Sequence, residues 1–419
     1  MQTSIEFLQV LFQKAVEAAH PEHRLQQHLP RDRQGRAIVI GAGKASASMA
    51  AAFEAAWEGP VSGLVVTPYG HGVPCEHIEV VEASHPIPDA ASQQSASRIL
   101  DMVTRLTEDD TVIFLLSGGG SSLLALPAPG VTLEQKQQIS AALLKSGATI
   151  HEINCVRKHL SAIKGGRLAL ACQPAKLLTF AISDVAGDDP TVIASGPSVA
   201  DPTTRDQALG ILRRHQIDMP TEVEAWLNSP ESETPKAVDL PPSTTPYTVI
   251  ATPHDALDAA AAYAQSRGVM PLVLGDTMEG ESREVAKVHA AIAQSITKTG
   301  EPIKPSCIIL SGGETTVTVT GNGRGGRNTE FLMSLARSLK GQAGIYALAA
   351  DTDGIDGSED NAGAILAPED FQRAIALGLD LDAMLANNDG YAYFQALDRL
   401  LITGPTRTNV NDLRAVLVL

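Results

Sequence analysis

The chain has 419 residues, more than one hydrophobic core usually serves, so two domains are expected. Hydrophobic residues make up 44% and aromatic residues 4%, with 35 glycines and 25 prolines, which is typical of an alanine-rich α/β protein and excludes a fibrous or disordered one. The formal net charge of −16 argues against a nucleic-acid partner and against an anionic membrane surface. The positive charge that receives any anionic ligand must therefore be local.

Cysteine usage and the N-terminal segment both predict a cytoplasmic protein. The N-terminal segment, residues 1–20, has apolar residues at helical spacing but lacks the cationic start and apolar core of a signal peptide. No segment approaches the ~20 apolar residues that a membrane span needs. The cysteines lack any CxxC or zinc-site spacing and are expected to be reduced and buried: Cys75, Cys155, Cys172 and Cys307.

Short apolar runs alternate with alanine-rich helical stretches in the first half of the chain. We expect the runs to be strands of a mostly parallel sheet, because helices between strands imply right-handed crossovers. This pattern predicts a Rossmann-like α/β/α sandwich as the N-terminal domain. The predicted strands are residues 37–40, 62–67, 78–82, 111–116 and 177–182.

A proline-rich stretch between residues 228 and 246 predicts the domain boundary, because little of it could pack in a core. The predicted domains are residues 1–240 and a smaller C-terminal mixed α/β domain of residues 246–419. Two close runs between residues 306 and 320 predict a hairpin, and hence a mixed sheet. Strands are predicted at 247–251, 271–274, 306–310, 315–320 and 345–350, and helices at 281–297 and 328–339.

Residues 38–46 read as a strand, a tight glycine turn and a helix start, where free backbone N–H groups favour an anion. The turn is not a Walker A loop, because Ala45 stands where Ser or Thr would hold magnesium. It is a poor dinucleotide fingerprint, because Ser46 replaces the third glycine and the next strand ends without a ribose-binding acid. We therefore predict that Lys44, next to Gly43, contacts phosphate rather than lying solvated at a helix start.

A second glycine-rich loop follows the apolar strand at 111–116. Three consecutive glycines let a ligand approach the backbone, and the carboxyl ends of parallel strands are where open α/β sheets bind ligands. A weak echo of this loop, Gly312, Gly313 and Glu314, follows the predicted strand at 306–310. The first loop consists of Ser117, Gly118, Gly119, Gly120, Ser121 and Ser122.

Carboxylates follow the strand at 177–182 in a long polar loop. They could hold a magnesium-nucleotide or accept a substrate proton. Asp188 and Asp189 equally suit a turn or a helix cap, because Asp before Pro is a common turn element. Asp184 is the stronger candidate of the three.

A cationic glycine loop at residues 323–330 opens a helix and carries Arg324 and Arg327, either of which could bind phosphate or carboxylate. Arg327, at the helix entry, is the preferred ligand group. The acidic run that begins at Asp351 lacks the final glutamate of an EF-hand and fits magnesium or base chemistry better. His85, at a strand end, is a candidate substrate contact, and no GxSxG elbow supports a hydrolase.

Eight strings in fixed order carry a family resemblance over nearly the entire chain: GAGKAS, SHPIPDAAS, SGGGSS, VRKHLSAIKGGRLA, ISDVAGDDPTVIASGP, GGRNTEF, DTDGIDG and TGPTRTNVNDL. They resemble the glycerate 2-kinase family with a C-terminal MOFRL domain. The resemblance implies phosphorylation of the 2-hydroxyl of D-glycerate by ATP and magnesium, with two α/β domains that form the active site at their cleft. It also implies that Lys44 and Arg327 are the principal catalytic cations.

We expect the 117–122 loop to cradle the phosphates, Asp184 and Asp189 to help hold magnesium, and Asp351 or Asp184 to take the hydroxyl proton. Gly43, Lys44, His85 and Arg327 would bind the substrate. Because some relatives are called hydroxypyruvate reductases, an NAD(P)H-dependent reductase is one alternative, and a non-catalytic sensor of sugar acids or nucleotides is another. The residues leave open whether the protein is a monomer or a homodimer.

Overall fold

The structure is a computed structural model that describes residues 3–31, 35–241 and 245–419. Its contacts divide the chain into residues 21–250, called the first unit, and residues 1–20 with 251–419, called the second unit. The division falls at the end of the predicted boundary stretch. Residues 242–244 of that stretch lie outside the described residues.

A six-stranded sheet forms the centre of the first unit, in the order β3-β2-β1-β4-β5-β6. The pairs β1–β2, β2–β3, β1–β4 and β4–β5 are all parallel, which confirms the predicted parallel α/β sandwich. The strands are β1 (Ala37–Ala42), β2 (Val61–Pro68), β3 (Ile78–Ala83), β4 (Thr111–Leu116), β5 (Lys176–Ile182) and β6 (Tyr247–Ala251). The expectation that 247–251 opens the second series was wrong, because β6 extends the first sheet beside β5.

Several helices of the first unit begin at a residue whose side chain caps them. Asp89, Thr132, Thr149 and Thr204 each accept the N–H three residues on, and the side chain there returns a bond to the cap, as a capping box requires. The helices are α2 (Pro21–His28), α3 (Ser46–Ala56), α4 (Ala90–Val103), α5 (Gly120–Leu123), α6 (Leu133–Lys145), α7 (Ile150–His159), α8 (Arg167–Cys172), α9 (Arg205–Arg214) and α10 (Thr221–Asn228), with 3₁₀ turns at Ile193–Ser195 and Pro230–Ser232.

Two apolar clusters lie among the described residues of the first unit. One surrounds the sheet and includes Ile40, Phe114 and Leu116. The other joins α6, α7, α9 and α10 through residues such as Leu143 and Leu212, away from the strands. The second cluster gives α6 and α7 an apolar core that contains no strand residue. The positions of these two helices are therefore set mainly by helix–helix packing.

The second unit has a mixed six-stranded sheet in the order β11-β10-β9-β12-β8-β7. The predicted mixed sheet is confirmed, but the predicted hairpin was wrong, because residues 315–320 form only an isolated bridge at Thr316. The mixed character comes instead from β12, which lies antiparallel between β8 and β9. The strands are β7 (Met270–Gly275), β8 (Cys307–Gly313), β9 (Ile345–Asp351), β10 (Gly363–Leu366), β11 (Leu400–Leu401) and β12 (Asp412–Val418).

The first helix of the chain, α1 (Ser4–Ala18), belongs to the second unit, whereas the sequence placed residues 1–240 in one domain. Its buried face packs on α11 (Pro253–Ser266), where Phe7 stacks on Tyr263 with 5.4 Å between ring centroids. Thr408 Oγ1 also donates to Ala19 O at 2.7 Å. An apolar helix face is a general signal and does not specify which core covers it.

The remaining helices of the second unit are α12 (Ser282–Thr299), α13 (Arg327–Leu339), α14 (Asp370–Ala376), α15 (Leu381–Ala386) and α16 (Gly390–Ala396). The first two confirm the helices predicted at 281–297 and 328–339. Among the described residues, no helix combines the length and the apolar composition that crossing a bilayer requires.

Candidate active site

Two glycine-containing loops meet at the carboxyl edge of the first sheet. Ala42, at the end of β1, pairs with Leu116 at the end of β4, so the chain leaves both strands side by side. The Lys44 N–H donates to Gly118 O at 2.8 Å, and the Ala45 N–H donates to Ser117 Oγ at 2.9 Å. The structure therefore brings the predicted residues Gly43 and Lys44 together with the 117–122 loop.

Gly43 is required by the contact between these loops. Its φ of +139° is rarely adopted by residues with a side chain, and a Cβ atom there would lie 2.1 Å from Ser117 Oγ. The nearby Ser46 Oγ donates to Val66 O at 2.6 Å and locks the start of α3 to β2. The turn is thus a fixed joint between three adjacent strands.

The expectation that this turn offers free N–H groups to an anion was wrong. The N–H groups of Lys44, Ala45 and Ser46 are all bonded within the protein, the last to Gly43 O at 3.1 Å. By contrast, in the part of the chain that the structure describes, the N–H groups of Gly118 and Gly119 have no hydrogen-bond acceptor. The donors for an anion therefore belong to the second loop and not to the first.

His85 and Lys44 both lie against Gly119. A Cβ atom on Gly119 would be 2.9 Å from His85 Cδ2 and 3.5 Å from Lys44 Cγ, so the missing side chain makes room for both. Gly119 also has a φ of +80°, a left-handed conformation that favours glycine. The imidazole, the lysine and the free loop N–H groups form one polar surface.

A cavity of about 530 Å³ lies beside this loop and is lined by Gly119, Ser121 and Ser122. Three cationic side chains that the sequence analysis did not select also line it, namely Lys136 on α6, Arg157 on α7, and Lys164. Lys164 Nζ donates to Ser121 O at 2.7 Å and so anchors the 117–122 loop. Arg157 and Lys164 lie in the VRKHLSAIKGGRLA string, which could have singled them out, whereas Lys136 has no such signal.

Burial lowers the pKa values of both lysines, so each loses its proton more easily than an exposed lysine. It lowers the pKa of Lys136 from 10.5 to about 7, and the neighbouring Arg157 guanidinium contributes to the decrease. Burial also holds the pKa of Lys164 well below its usual value, again with like-charge repulsion from Lys136 and Arg157. The unliganded cavity thus disfavours full protonation of its own lysines.

The carboxylates after β5 lie at the same sheet edge, because Ala181 pairs with Leu116. Burial raises the pKa of Tyr247, and the charges of Asp184, Asp189 and Asp188 raise it further, which places these carboxylates near its hydroxyl. Asp189 Oδ1 accepts the Thr191 N–H at 2.8 Å, as in a turn. Among the described residues, no group of three or more acidic, histidine or cysteine side chains could enclose a metal ion.

Arg327, in the second unit, is held by three carboxylates. It donates to Asp351 Oδ2 at 2.7 Å, and to Asp412 Oδ1 and Glu314 Oε1 at 2.8 Å each. Burial acts to lower the pKa of Arg327, but the surrounding carboxylates outweigh it and hold the pKa well above its usual value. Asp412, which sequence reasoning missed, is fully buried and also accepts from Arg414 Nη2 at 2.6 Å.

The glycines of the second-unit echo have a packing explanation. Gly312 and Gly313 are the last residues of β8, and a Cβ atom on Gly313 would lie 2.3 Å from Met278 N. Their carbonyl groups accept from the buried Arg414 guanidinium. Glu314 follows them and pairs with Arg327, so the structure joins Gly312, Gly313 and Glu314 to the arginine cluster.

Other charged residues predicted at this site stabilise the loops around it. Asp356 accepts the N–H groups of Asn328 and Thr329 at 2.9 Å each, and so caps the start of α13. Arg324 pairs with Glu359 and lies over the Tyr391 ring at 4.3 Å. Arg324 therefore has its own surface partners.

The described residues form an α/β protein in which a glycine-rich loop with unbonded N–H groups and several buried cations lie at the edge of a parallel sheet. Family models match residues 7–228, as a domain of unknown function (DUF4147), and residues 307–412, as the MOFRL family. The chain is 41% identical to a D-glycerate 2-kinase of Thermotoga maritima, over 96% of this chain and 95% of that one. The solved structure of a glycerate kinase from that organism matches with a TM-score of 0.90 at 40% identity, covering 99% of both chains.

A protein of Agrobacterium vitis, provisionally named a hydroxypyruvate reductase, is 52% identical over 99% of this chain and 94% of its own length. The chain belongs to the glycerate 2-kinase family with a C-terminal MOFRL domain. The family resemblance of the eight strings is thereby confirmed.

Ser117→Ala should destabilise the protein by about 1 to 3 kcal/mol, because it leaves the buried Ala45 N–H without an acceptor. Urea unfolding measures the loss. Ser122→Ala is the matched control, since its Oγ is a donor to Gly119 O and no N–H depends on it. Equal stability of the Ser117→Ala and control variants would show that the loop contact is not held by this bond.

Lys136→Met should stabilise the unliganded protein more at pH 7 than at pH 9.5. The pKa of Lys136 is lower in the folded chain than in the unfolded chain. The destabilisation by the buried ammonium group is therefore fully present below about pH 7 and decreases as the pH rises toward 10.5. The gain should be on the order of 2 to 4 kcal/mol at pH 7 and clearly smaller at pH 9.5. Urea unfolding at both pH values, with the exposed Lys145→Met on the same helix as control, tests this. A gain that does not change with pH would contradict it.

Proposed function

We propose that this protein transfers the γ-phosphoryl group of ATP to the 2-hydroxyl of D-glycerate, giving 2-phosphoglycerate and ADP. The observation that carries the proposal is the joint of the 43–46 and 117–122 loops, which sets Lys44 and unbonded loop N–H groups side by side. The relatives named D-glycerate 2-kinase and glycerate 2-kinase, at 41% and 38% identity, support it. Phosphoryl transfer needs positioning and positive charge rather than a covalent nucleophile.

In this proposal the 117–122 loop binds nucleotide phosphate oxygens through the N–H groups of Gly118 and Gly119. Lys44, against Gly119, neutralises the charge that moves during transfer. His85 and Gly43 border the same surface and would contact the substrate. Ser121 and Ser122 add hydroxyl groups at the cavity side of the loop.

Arg327 is proposed to bind an anionic group of a substrate in exchange for one of its carboxylates. Glu314 is the partner that a ligand would replace, because its side chain is 56% exposed whereas those of Asp351 and Asp412 are buried. Asp351 has both oxygens engaged, by Arg327 and by the Asp353 N–H at 3.0 Å. We therefore favour Asp184 over Asp351 as the acceptor of the hydroxyl proton.

Magnesium would be held by carboxylates of the 184–189 loop together with nucleotide phosphates. This donor set fits Mg²⁺, which uses one or two carboxylates and substrate phosphates rather than a cage of protein ligands. Asp184 and Asp189 both lie near the Tyr247 hydroxyl, and Asp189 Oδ1 also accepts the Thr191 N–H. When bound, the ion would reduce the negative charge on the phosphate oxygens.

A cytoplasmic location accompanies this function. The four cysteines are free thiols, as a reducing compartment would leave them. Burial raises the pKa of the Cys172 thiol to about 12, which makes it unreactive. The prediction for the oligomeric state stays a monomer or a homodimer.

The reductase alternative is favoured by the provisional name of the Agrobacterium relative. Against it, the N–H groups of Lys44, Ala45 and Ser46, in the turn that would receive a dinucleotide pyrophosphate, are already bonded. Incubating the purified chain with magnesium, ATP and D-glycerate should give a 2-phosphoglycerate signal by phosphorus NMR. A parallel reaction with NADH and hydroxypyruvate should show no loss of NADH absorbance. NADH oxidation without 2-phosphoglycerate would overturn the proposal.

Lys44→Ala should lower kcat at least 100-fold while KM for ATP changes less than about fivefold, because the lysine acts mainly on charge that develops during transfer. Steady-state kinetics of 2-phosphoglycerate formation measures both. The exposed Lys176→Ala, in the same unit, is the matched control and should match the wild type. Near-normal kcat in a folded Lys44→Ala variant would remove the lysine from the mechanism.

A further inference from the structure

The cavity beside the 117–122 loop contains cations without counter-charges. Its titratable side chains are Lys136 from α6, Arg157 from α7, Lys164, and His85 after β3, and no Asp or Glu lines it. Elsewhere in the described residues, the most deeply buried lysine and arginine side chains have acidic partners, Asp201 at 3.2 Å for Lys158 and Asp412 at 2.6 Å for Arg414. A cavity that collects three cations and excludes carboxylates is built for an anionic ligand.

Two of the three cations, Lys136 and Arg157, lack the partners that a structural role would give them, whereas Lys164 Nζ donates to Ser121 O. Lys136 is 7% exposed, and in the described part of the chain its Nζ has no hydrogen-bond acceptor. Arg157, also within the described ranges, has neither a hydrogen bond nor an ion pair, and burial alone lowers its pKa. Burying a charged group without a partner is strongly unfavourable, so both side chains are positioned at a cost to stability.

The number of cations distinguishes between the two proposed substrates. D-Glycerate carries one negative charge and would leave two of the three cations unpaired. A nucleoside triphosphate carries about four negative charges in its phosphate chain, and it can pair with all three. The 530 Å³ cavity is within the range of about 300 to 1,000 Å³ of ligand pockets.

Apolar side chains also line the cavity. They belong to Pro86, Ile87 and Pro88 after β3 and to Leu133 and Leu144 of α6. Ile87 is 67% exposed and Leu144 is 62% exposed, which leaves large apolar side chains open to solvent at the cavity. A flat apolar group would cover them, and a purine base has that shape and polarity.

We propose that this cavity is the nucleoside triphosphate subsite, with the phosphate chain on Lys136, Arg157 and Lys164 and the base on the Pro86–Pro88 and Leu144 wall. The proposal rests on the proposed kinase function, since it names where that reaction's phosphoryl donor binds. Ser121 and Ser122 join the subsite to the phosphate-binding loop, because both line the cavity and Lys164 donates to Ser121 O.

The subsite gives a function to the buried lysines, Lys136 on α6 and Lys164 after α7. Without ligand, burial and mutual repulsion favour loss of protons from Lys136 and Lys164. A bound polyanion supplies the missing counter-charge and returns the protons, so binding takes up protons near and above neutral pH. Proton uptake that depends on Lys136 is therefore a signature of ligand in this cavity.

Calorimetric titration of the full chain with magnesium-ATP, inorganic tripolyphosphate and D-glycerate tests the subsite. Lys136→Met and Arg157→Met should each weaken ATP and tripolyphosphate at least tenfold and leave D-glycerate within twofold. Ile87→Ser should weaken ATP but not tripolyphosphate. Lys145→Met, an exposed lysine of α6, should bind all three ligands as the wild type does.

Titration of tripolyphosphate at pH 8 in buffers of different ionisation enthalpy should show proton uptake by the wild type that is clearly smaller in Lys136→Met, where Lys164 is the remaining buried lysine of the cavity. Thermal unfolding checks that the variants are folded, and Lys136→Met should be at least as stable as the wild type. Wild-type ATP affinity in folded Lys136→Met and Arg157→Met variants would overturn the subsite, as would a loss confined to D-glycerate.

The outcomes separate the subsite from the proposed function. A wild-type chain that makes no 2-phosphoglycerate but binds tripolyphosphate through Lys136 and Arg157 would refute the kinase reaction and keep the anion site. A chain that makes 2-phosphoglycerate while both variants retain the wild-type KM for ATP would keep the reaction and refute the subsite.

Discussion

The hydrogen bond from the Ala45 N–H to Ser117 Oγ, at 2.9 Å, sets the geometry of the ligand edge of the first unit. It requires glycine at position 43, where a Cβ atom would lie 2.1 Å from the same oxygen. This bond and its neighbours occupy the N–H groups of Lys44, Ala45 and Ser46, whereas those of Gly118 and Gly119 stay unbonded in the described part of the chain. One close contact thus decides which of the two glycine motifs keeps N–H groups available to a ligand.

Two clusters, one in each unit, differ in whether their buried cations have acidic partners. Arg327 in the second unit is surrounded by three carboxylates, and its charge is fixed by their attraction. Lys136 and Arg157 in the first unit have no acidic neighbour in their cavity, and burial weakens their charge. A saturated cation accepts a ligand only by exchange, whereas an unpaired cation gains a partner when the ligand binds. Both arrangements suit binding of anions, with different dependence on pH.

Glycines in this chain illustrate why a motif alone is a weak guide to function. Gly119 leaves space that His85 and Lys44 occupy, so its missing side chain shapes the site. Gly313, in the similar second-unit string, leaves space that the Met278 backbone occupies, so it serves packing. The strings SGGGSS and SGGETT look alike because both end a buried strand, but what approaches each glycine differs.

The sequence by itself determined the parallel sheet, the family, and the two glycine turns that follow β1 and β4, because periodicity and turn chemistry act over a few residues and the family is carried by short strings. It placed most strands of both sheets within a few residues of their observed ends. The contact between the two turns, from the Ala45 N–H to Ser117 Oγ, was decided by the tertiary structure. Only the tertiary structure decided that α1 packs with the second unit and that β12 lies between β8 and β9. It also decided that Lys136 meets Arg157 and that Asp412 meets Arg327, since these contacts join residues distant in the chain. Such pairings depend on how whole elements pack, which no local pattern encodes.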